Sequence, residues 1–278
     1  MKYFEKKLGE RGGYVKYYIQ EPHVEIDPNR KFPTLVICPG GAYLWTSFRE
    51  DESVALRFLA EGFNVAVVHY ATEGREAYQV ETVDDLPASP ATVFPNPLVE
   101  LATAVAEIRN HKEEWAVDED YIIVGGFSAG GNLAAQLGTL WHEDWLSNLV
   151  GENKETYRPT HLLLAYAALD FTPRKLPSHG EINTILHATT GELELNQEKI
   201  DRMNPIKHVS KYTPPSFIWH TLEDVLVPAT DALSFSQALS KVEVPYELHI
   251  FNKGKHGLVL GDLRTGIKLD QANAQVYK

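Results

Sequence analysis

The sequence predicts an α/β fold with a mostly parallel central sheet. Short apolar runs rich in Val, Ile and aromatic residues alternate with helical stretches, and the runs are continuously hydrophobic rather than alternating. Alternation of strand and helix implies βαβ units, and unbroken hydrophobicity marks strands covered on both faces. Proline gathers between the runs, as in EPHVEIDPNRKFP and DLPASPATVFPNP, where it can interrupt neither a ladder nor a helix.

Taken in order, TLVIC (34–38) is the first strand of the parallel series and DESVALRFLAEG (51–62) the first helix. FNVAVVHY (63–70) follows as a strand, NPLVELATAVAEIRNHKEEW (96–115) as a helix and YIIVGG (121–126) as a strand. The glycine-rich AGGNLAAQLGTLWH (129–142) reads as a helix, HLLLAY (161–166) and SFIWH (216–220) as strands, ATDALSFSQALSKV (229–242) as a helix and YELHIF (246–251) as the last strand. Residues 71–95 and 171–205 are too long for simple turns and read as cap-like insertions in one domain spanning 1–278, the second with short helices in EINTILH and NQEKIDRM. GERGG, near the start, has neither the strand nor the lysine of a phosphate-binding loop and reads as a turn.

At 278 residues and 44% hydrophobic, the chain can bury a large core, and its net charge of −12 argues against nucleic acid or an anionic membrane as partner. A single cysteine, Cys38, excludes a disulfide framework and a cysteine-rich metal site. No apolar run approaches the ~18 residues of a membrane helix, and the charged start has no apolar h-region. The expected location is cytoplasmic. Eleven histidines include no H-E-x-x-H or comparable cluster, so neither metal nor cofactor is expected. The oligomeric state is left open.

VGGFSAGGN (124–132) carries the chemistry. Gly126-Phe127-Ser128-Ala129-Gly130 matches G-x-S-x-G between a strand and a helix, the context that this motif requires. A nucleophile on so sharp a turn tolerates no bulk two residues to either side, and the helix N-terminus offers free amides to developing negative charge. The bland alternative is an N-capping serine on a glycine-rich helix start. Downstream residues favour the nucleophile. Asp224 lies in the loop after SFIWH and His256 in the loop after YELHIF. Both therefore fall with Ser128 beyond the carboxyl ends of the strands, where sites form in open α/β sheets. A serine needs a base and the base an orienting acid, so Ser128, His256 and Asp224 read as a triad.

GFSAGG, HTLEDVLVP and KHGL, in this order and context, resemble the α/β-hydrolase superfamily, and more narrowly the acetyl esterase and acetylxylan-esterase-like branch of bacterial carboxylesterases. The resemblance runs from about residue 32 to about residue 260. It implies a cofactor-free serine ester hydrolase acting on a small-molecule ester through an acyl-enzyme. Short acyl groups are implied, acetyl first, with a sugar or other polar alcohol as leaving group. CPGGAY (38–43) resembles the H-G-G-G oxyanion loop with Pro39 in place of the histidine and Ala42 in place of the last glycine. That departure leaves open which amides of 40–42 act. By resemblance they are Gly41 and Ala42, with Ala129 beside the nucleophile.

Several roles have rivals. Asp170 closes the strand HLLLAYAALD and is the alternative acid, or else it anchors the insertion that begins there. Glu223 should face a different direction from Asp224, and His220 should support the acid loop. His69, His249 and Cys38 should pack in the core. Tyr43 and Trp45 either line the acyl or alcohol pocket or pack under a loop at the surface. A prolyl-peptidase-type enzyme shares the triad but carries a large N-terminal domain, which the ~30 residues ahead of the core do not supply. A non-catalytic binding protein of this fold would lack a triad member. The polar character of residues 171–200 disfavours a lipid interface.

Overall fold

In chain order the strands are β1 Lys2–Leu8, β2 Gly13–Ile19, β3 Phe32–Cys38, β4 Asn64–His69, β5 Val117–Phe127, β6 His161–Ala165, β7 Ser216–Thr221 and β8 Tyr246–Phe251. They form one sheet in the order β1-β2-β4-β3-β5-β6-β7-β8. Every pair from β4 to β8 is parallel, whereas β1–β2 and β2–β4 are antiparallel. The helices are α1 Glu52–Ala60, α2 Asn96–Asn110, α3 Ser128–Leu140, α4 Asp144–Val150, α5 Thr184–Thr190, α6 Gln197–Arg202 and α7 Thr230–Lys241. This computed structural model describes residues 1–172 and 182–266. It has the α/β-hydrolase fold.

The inner strands are covered on both faces, which accounts for their unbroken hydrophobicity. Leu35, Ile37, Val65 and Val67 turn toward Val54 and Ala55 of α1. Val36, Ala66, Val68 and Val124 turn the other way, toward Leu98 and Leu101 of α2 and Leu133 of α3. All six residues of β4 are buried, as are all twelve residues of α3 after Ser128. That burial fixes the helix that begins at the serine. No described helix is long and apolar enough to cross a membrane.

Four features differ from the expectation. The β1–β2 hairpin is absent from the sequence-level reading because β1, KYFEKKL, is an exposed edge strand whose charges hide its period. The predicted turn at GERGG joins these two strands, with Gly9 and Gly12 at φ 63° and 99°. Helix α2 stops at Asn110 rather than Trp115, and α4 was not foreseen. β8 is the other edge, so its apolar residues are partly exposed rather than covered on both faces.

The two long insertions pack on each other. Leu44, Tyr78, Leu86 and Ala188 share a small apolar cluster, and the Thr92 hydroxyl donates to the Ala188 carbonyl at 2.9 Å. Short helices form where EINTILH and NQEKIDRM suggested them, as α5 and α6. Residues 173–181, part of the second predicted insertion, lie outside the described residues.

One buried carboxyl carries a stability prediction. Glu100 of α2 is 7% exposed and accepts the Ala71 amide at 2.8 Å. Burial pushes its pKa up to about 7, against smaller opposing effects of that amide and Arg11. The folded chain therefore binds this proton more tightly than the unfolded one. Its contribution to stability is full below about pH 4.5 and is lost as pH rises through 7. Glu100→Gln keeps an acceptor for Ala71, so it should stabilise the protein at pH 8 by on the order of 3 kcal/mol and by nothing near pH 4.5. Melting temperatures at the two pH values check this, and an equal shift at both would refute it.

Candidate active site

The small residues around Ser128 answer to close backbone approach. A Cβ on Gly126 would lie 2.2 Å from the Gly130 carbonyl oxygen, and one on Gly130 would lie 2.0 Å from the Cys38 carbonyl oxygen. Strand β5, helix α3 and the end of β3 thus meet with no room for a side chain. Ser128 takes the strain of the turn at φ 53°, a left-handed conformation rare for a residue with a side chain. Its hydroxyl is thereby lifted off the sheet's carboxyl edge.

Tertiary structure brings together three side chains that are far apart in the chain. The Ser128 Oγ lies 2.8 Å from His256 Nε2, and His256 Nδ1 lies 2.6 Å from Asp224 Oδ2. The other Asp224 oxygen accepts the Leu226 and Val227 amides, each at 2.9 Å. Burial pushes the Asp224 carboxyl up. Its bond and charge interaction with His256, together with those two amides, outweigh burial and hold it below the usual aspartate range. It is therefore a carboxylate at neutral pH, suited to hold an imidazole with Nδ1 protonated and Nε2 free to accept from serine. Asp170 is exposed and instead accepts from Asn204 Nδ2 at 2.7 Å, tying the start of the second insertion to its end.

The remaining residues agree with expectation in part. Buried His220 supports the acid loop by pairing with the Val227 carbonyl at 2.8 Å, and burial pushes its pKa down to about 4. Glu223 faces a different direction from Asp224: it accepts the Gly254 amide at 2.9 Å and Lys253 at 3.0 Å, bracing the histidine loop. Cys38 packs in the core, where burial raises its thiol pKa. His69 does more than pack, because it lies between Thr46 Oγ1 at 2.8 Å and Asp51 Oδ2 at 3.2 Å. His249 is about half exposed on edge strand β8.

The oxyanion-type loop turns through Gly41, Ala42 and Tyr43 at φ 130°, 56° and 64°. A Cβ on Gly41 would meet the Trp45 carbonyl oxygen at 1.9 Å, so this loop cannot relax around a larger residue. The Gly40 amide donates to Glu50 Oε2 at 2.6 Å, which takes it out of the choice among residues 40–42. Sequence reasoning missed Glu50 and its neighbour Arg49, both in the 3-10 turn Phe48–Glu50. Arg49 reaches the Gly257 carbonyl, beside His256, and the Thr265 carbonyl. The only sequence cue was a pair of opposite charges just before α1, a pattern common on solvated surfaces.

A cavity of about 460 Å³ opens over Ser128 and His256. Gly41, Ala42, Ala129, Tyr43 and Trp45 all line it. Tyr43 is not a surface aromatic: it is 1% exposed and its hydroxyl turns inward, donating to Asn132 Oδ1 at 2.7 Å. Its ring forms cavity wall while its polar end is occupied. Trp45 is half-buried under the Arg75 guanidinium. Among the described residues no group of His, Cys, Asp and Glu could hold a metal ion.

Residues 23–239 match the family model BD-FAE. The chain is 25% identical to "Esterase LipC" of Mycobacterium tuberculosis over 86% of its own length and 56% of that protein. Among solved structures it resembles an acetyl ester-xyloside bifunctional hydrolase from Caldicellulosiruptor lactoaceticus, 27% identical, with TM-score 0.69 over 90% of this chain and 80% of that one. It also resembles the carboxylesterase Cest-2923 from Lactobacillus plantarum, 23% identical, with TM-score 0.80 over 98% and 90% of the two chains. At that identity the likeness is one of fold. The chain spans 33% to 56% of the length of the curated relatives it matches.

Proposed function

Because this chain belongs to the BD-FAE family, we propose that it is a serine carboxylic-ester hydrolase acting on short-chain, chiefly acetyl, esters of sugars or other polar alcohols. The observation that carries the reading is the hydrogen-bonded series Ser128–His256–Asp224, whose serine and histidine line a cavity together with the strained loop at Gly41 and Ala42.

In this mechanism the Ser128 oxygen attacks the ester carbonyl as its proton passes to His256 Nε2. The carbonyl oxygen becomes an oxyanion held by the amides of Ala129, Gly41 and Ala42, each of which supplies about 2.7–4 kcal/mol in comparable sites. The C–O bond to the alcohol breaks as His256 returns the proton to the leaving oxygen. Water then gives a proton to His256 as it attacks the acyl-Ser128 carbonyl, and the acyl C–Oγ bond breaks to release the acid as His256 returns that proton to Ser128. Asp224 holds the imidazole tautomer and stabilises the imidazolium in both halves.

Support for a short acyl group and a polar alcohol comes from the cavity and from relatives. A volume of about 460 Å³ falls in the lower part of the range for small-molecule sites. Exposed Asp170 in its wall offers an acceptor to hydroxyl groups. The matched Caldicellulosiruptor hydrolase is named for acetyl ester and xyloside substrates, and LipC is named an esterase. Against this, Val225 and Leu226 of the acid loop also line the cavity and are 91% and 47% exposed, a ledge on which a longer chain could rest.

An acyl ladder of p-nitrophenyl esters decides between them. The reading predicts kcat/KM falling steeply from acetyl to octanoyl, about tenfold for each ~1.4 kcal/mol of transition-state fit lost. Octanoyl as the better substrate would overturn the short-acyl assignment and assign the chain to the ledge.

A further inference from the structure

We infer that Glu50 is a positioning residue of this site, its buried side chain tying the oxyanion-type loop to the wall behind His256. This rests on the esterase reading above, in which His256 becomes a cation and Gly41 and Ala42 bind an oxyanion.

Glu50 is 4% exposed and lines the cavity, although a carboxyl is among the costliest groups to bury. Both of its oxygens are satisfied by groups that lead into the site. Oε2 accepts the Gly40 amide at 2.6 Å, and Oε1 accepts the Tyr166 hydroxyl at 2.7 Å. Gly40 is the residue ahead of three successive positive-φ residues, Gly41, Ala42 and Tyr43, a series that persists only where its surroundings over-determine it. Anchoring the Gly40 amide sets the peptide plane from which those residues turn. Buried Tyr166 presents its ring edge-on to His256, with centroids 5.0 Å apart. The carboxyl thus reaches the oxyanion side and the base side of the reaction at once, while adjacent Arg49 holds the histidine loop through the Gly257 carbonyl.

The electrostatic consequence follows from these contacts. When Ser128 gives up its proton, the imidazolium faces the Asp224 carboxylate on its Nδ1 side and has Glu50 behind Tyr166. Other titratable or charged groups around the pair are Arg49, His220 and Tyr70, with Lys253, Glu223 and Lys255 at the exposed end of the histidine loop. Burial raises the Glu50 pKa, while Tyr166, the Gly40 amide, His256 and Arg49 oppose that rise. An ionised Glu50 favours the imidazolium, so removing its charge disfavours protonation of the base.

Glu50→Gln tests the assignment, because it preserves size and an acceptor for Gly40 but removes the charge. The expected result is a loss in kcat on the order of 10- to 100-fold with KM nearly unchanged. The acidic limb of the kcat/KM profile should also move to lower pH. Tyr166→Phe, which removes only the connecting hydroxyl, should move both quantities in the same direction by less, and it decides the matter should Glu50→Gln fail to fold. Wild-type kcat and an unmoved profile in a folded variant overturn the proposal. Should the wild type hydrolyse no ester, the same variants are compared by the rate at which a fluorophosphonate labels Ser128. Slower labelling then upholds the positioning role while the esterase reading fails, and equal labelling ends both.

Discussion

Ser128→Ala is expected to reduce hydrolysis of p-nitrophenyl acetate by at least about 10⁴-fold while leaving the protein folded. The substitution removes one atom, Oγ, which hydrogen-bonds to His256 Nε2. Alanine suffers the same left-handed backbone as serine at φ 53°, so no new strain is added, and the melting temperature should be nearly unchanged. Residual activity should come from the loop amides and from water entering where Oγ stood. Labelling by a fluorophosphonate should disappear together with turnover. A variant that kept both would remove Ser128 from the mechanism, and with it the proposed acyl-enzyme.

Asp224→Asn should lower kcat by about 10⁴-fold through a different cause. Asparagine can keep its oxygen on the Leu226 and Val227 amides, where Asp224 Oδ1 now accepts at 2.9 Å from each. Its NH₂ group must then face His256 Nδ1, now 2.6 Å from a carboxylate oxygen. A donor in that place stabilises the tautomer protonated on Nε2, which cannot accept the Ser128 proton. The loop survives and the chemistry stops. Circular dichroism and the melting curve should report a native fold, and kcat should collapse at every pH up to the alkaline limit. A tenfold or smaller loss would mean that another acid orients His256.

Much of the site was legible because local chemistry marks it. A strand that must turn sharply into a helix admits only small residues, so GFSAGGN marks the tight turn at Ser128, the proposed nucleophile, by what it leaves out. Asp224 and His256 were legible from their loops, since the carboxyl ends of parallel strands converge at one edge of the sheet. The fold class followed from hydrophobic runs that only a doubly covered sheet requires. Edge strand β1 was hidden because its exposure on both faces and its four charged residues out of seven erase the periodic signal.

By itself, the sequence determined the order of the parallel strands and the main helices between them, the strand-to-helix turn at Ser128 and the two loops that carry Asp224 and His256. These are properties of stretches a few residues long, set by sterics and by the period of burial. Only the tertiary structure decided which acid meets His256, why Tyr43 can offer a ring but not its hydroxyl, and that Glu50 is buried between Gly40 and Tyr166. Glu50 and Tyr166 are separated by 116 positions, and Ser128 and His256 by 128. Contacts at such separations leave no periodic trace in the chain. Their energy arises only when burial strips water from both partners and leaves each as the other's best hydrogen-bond partner.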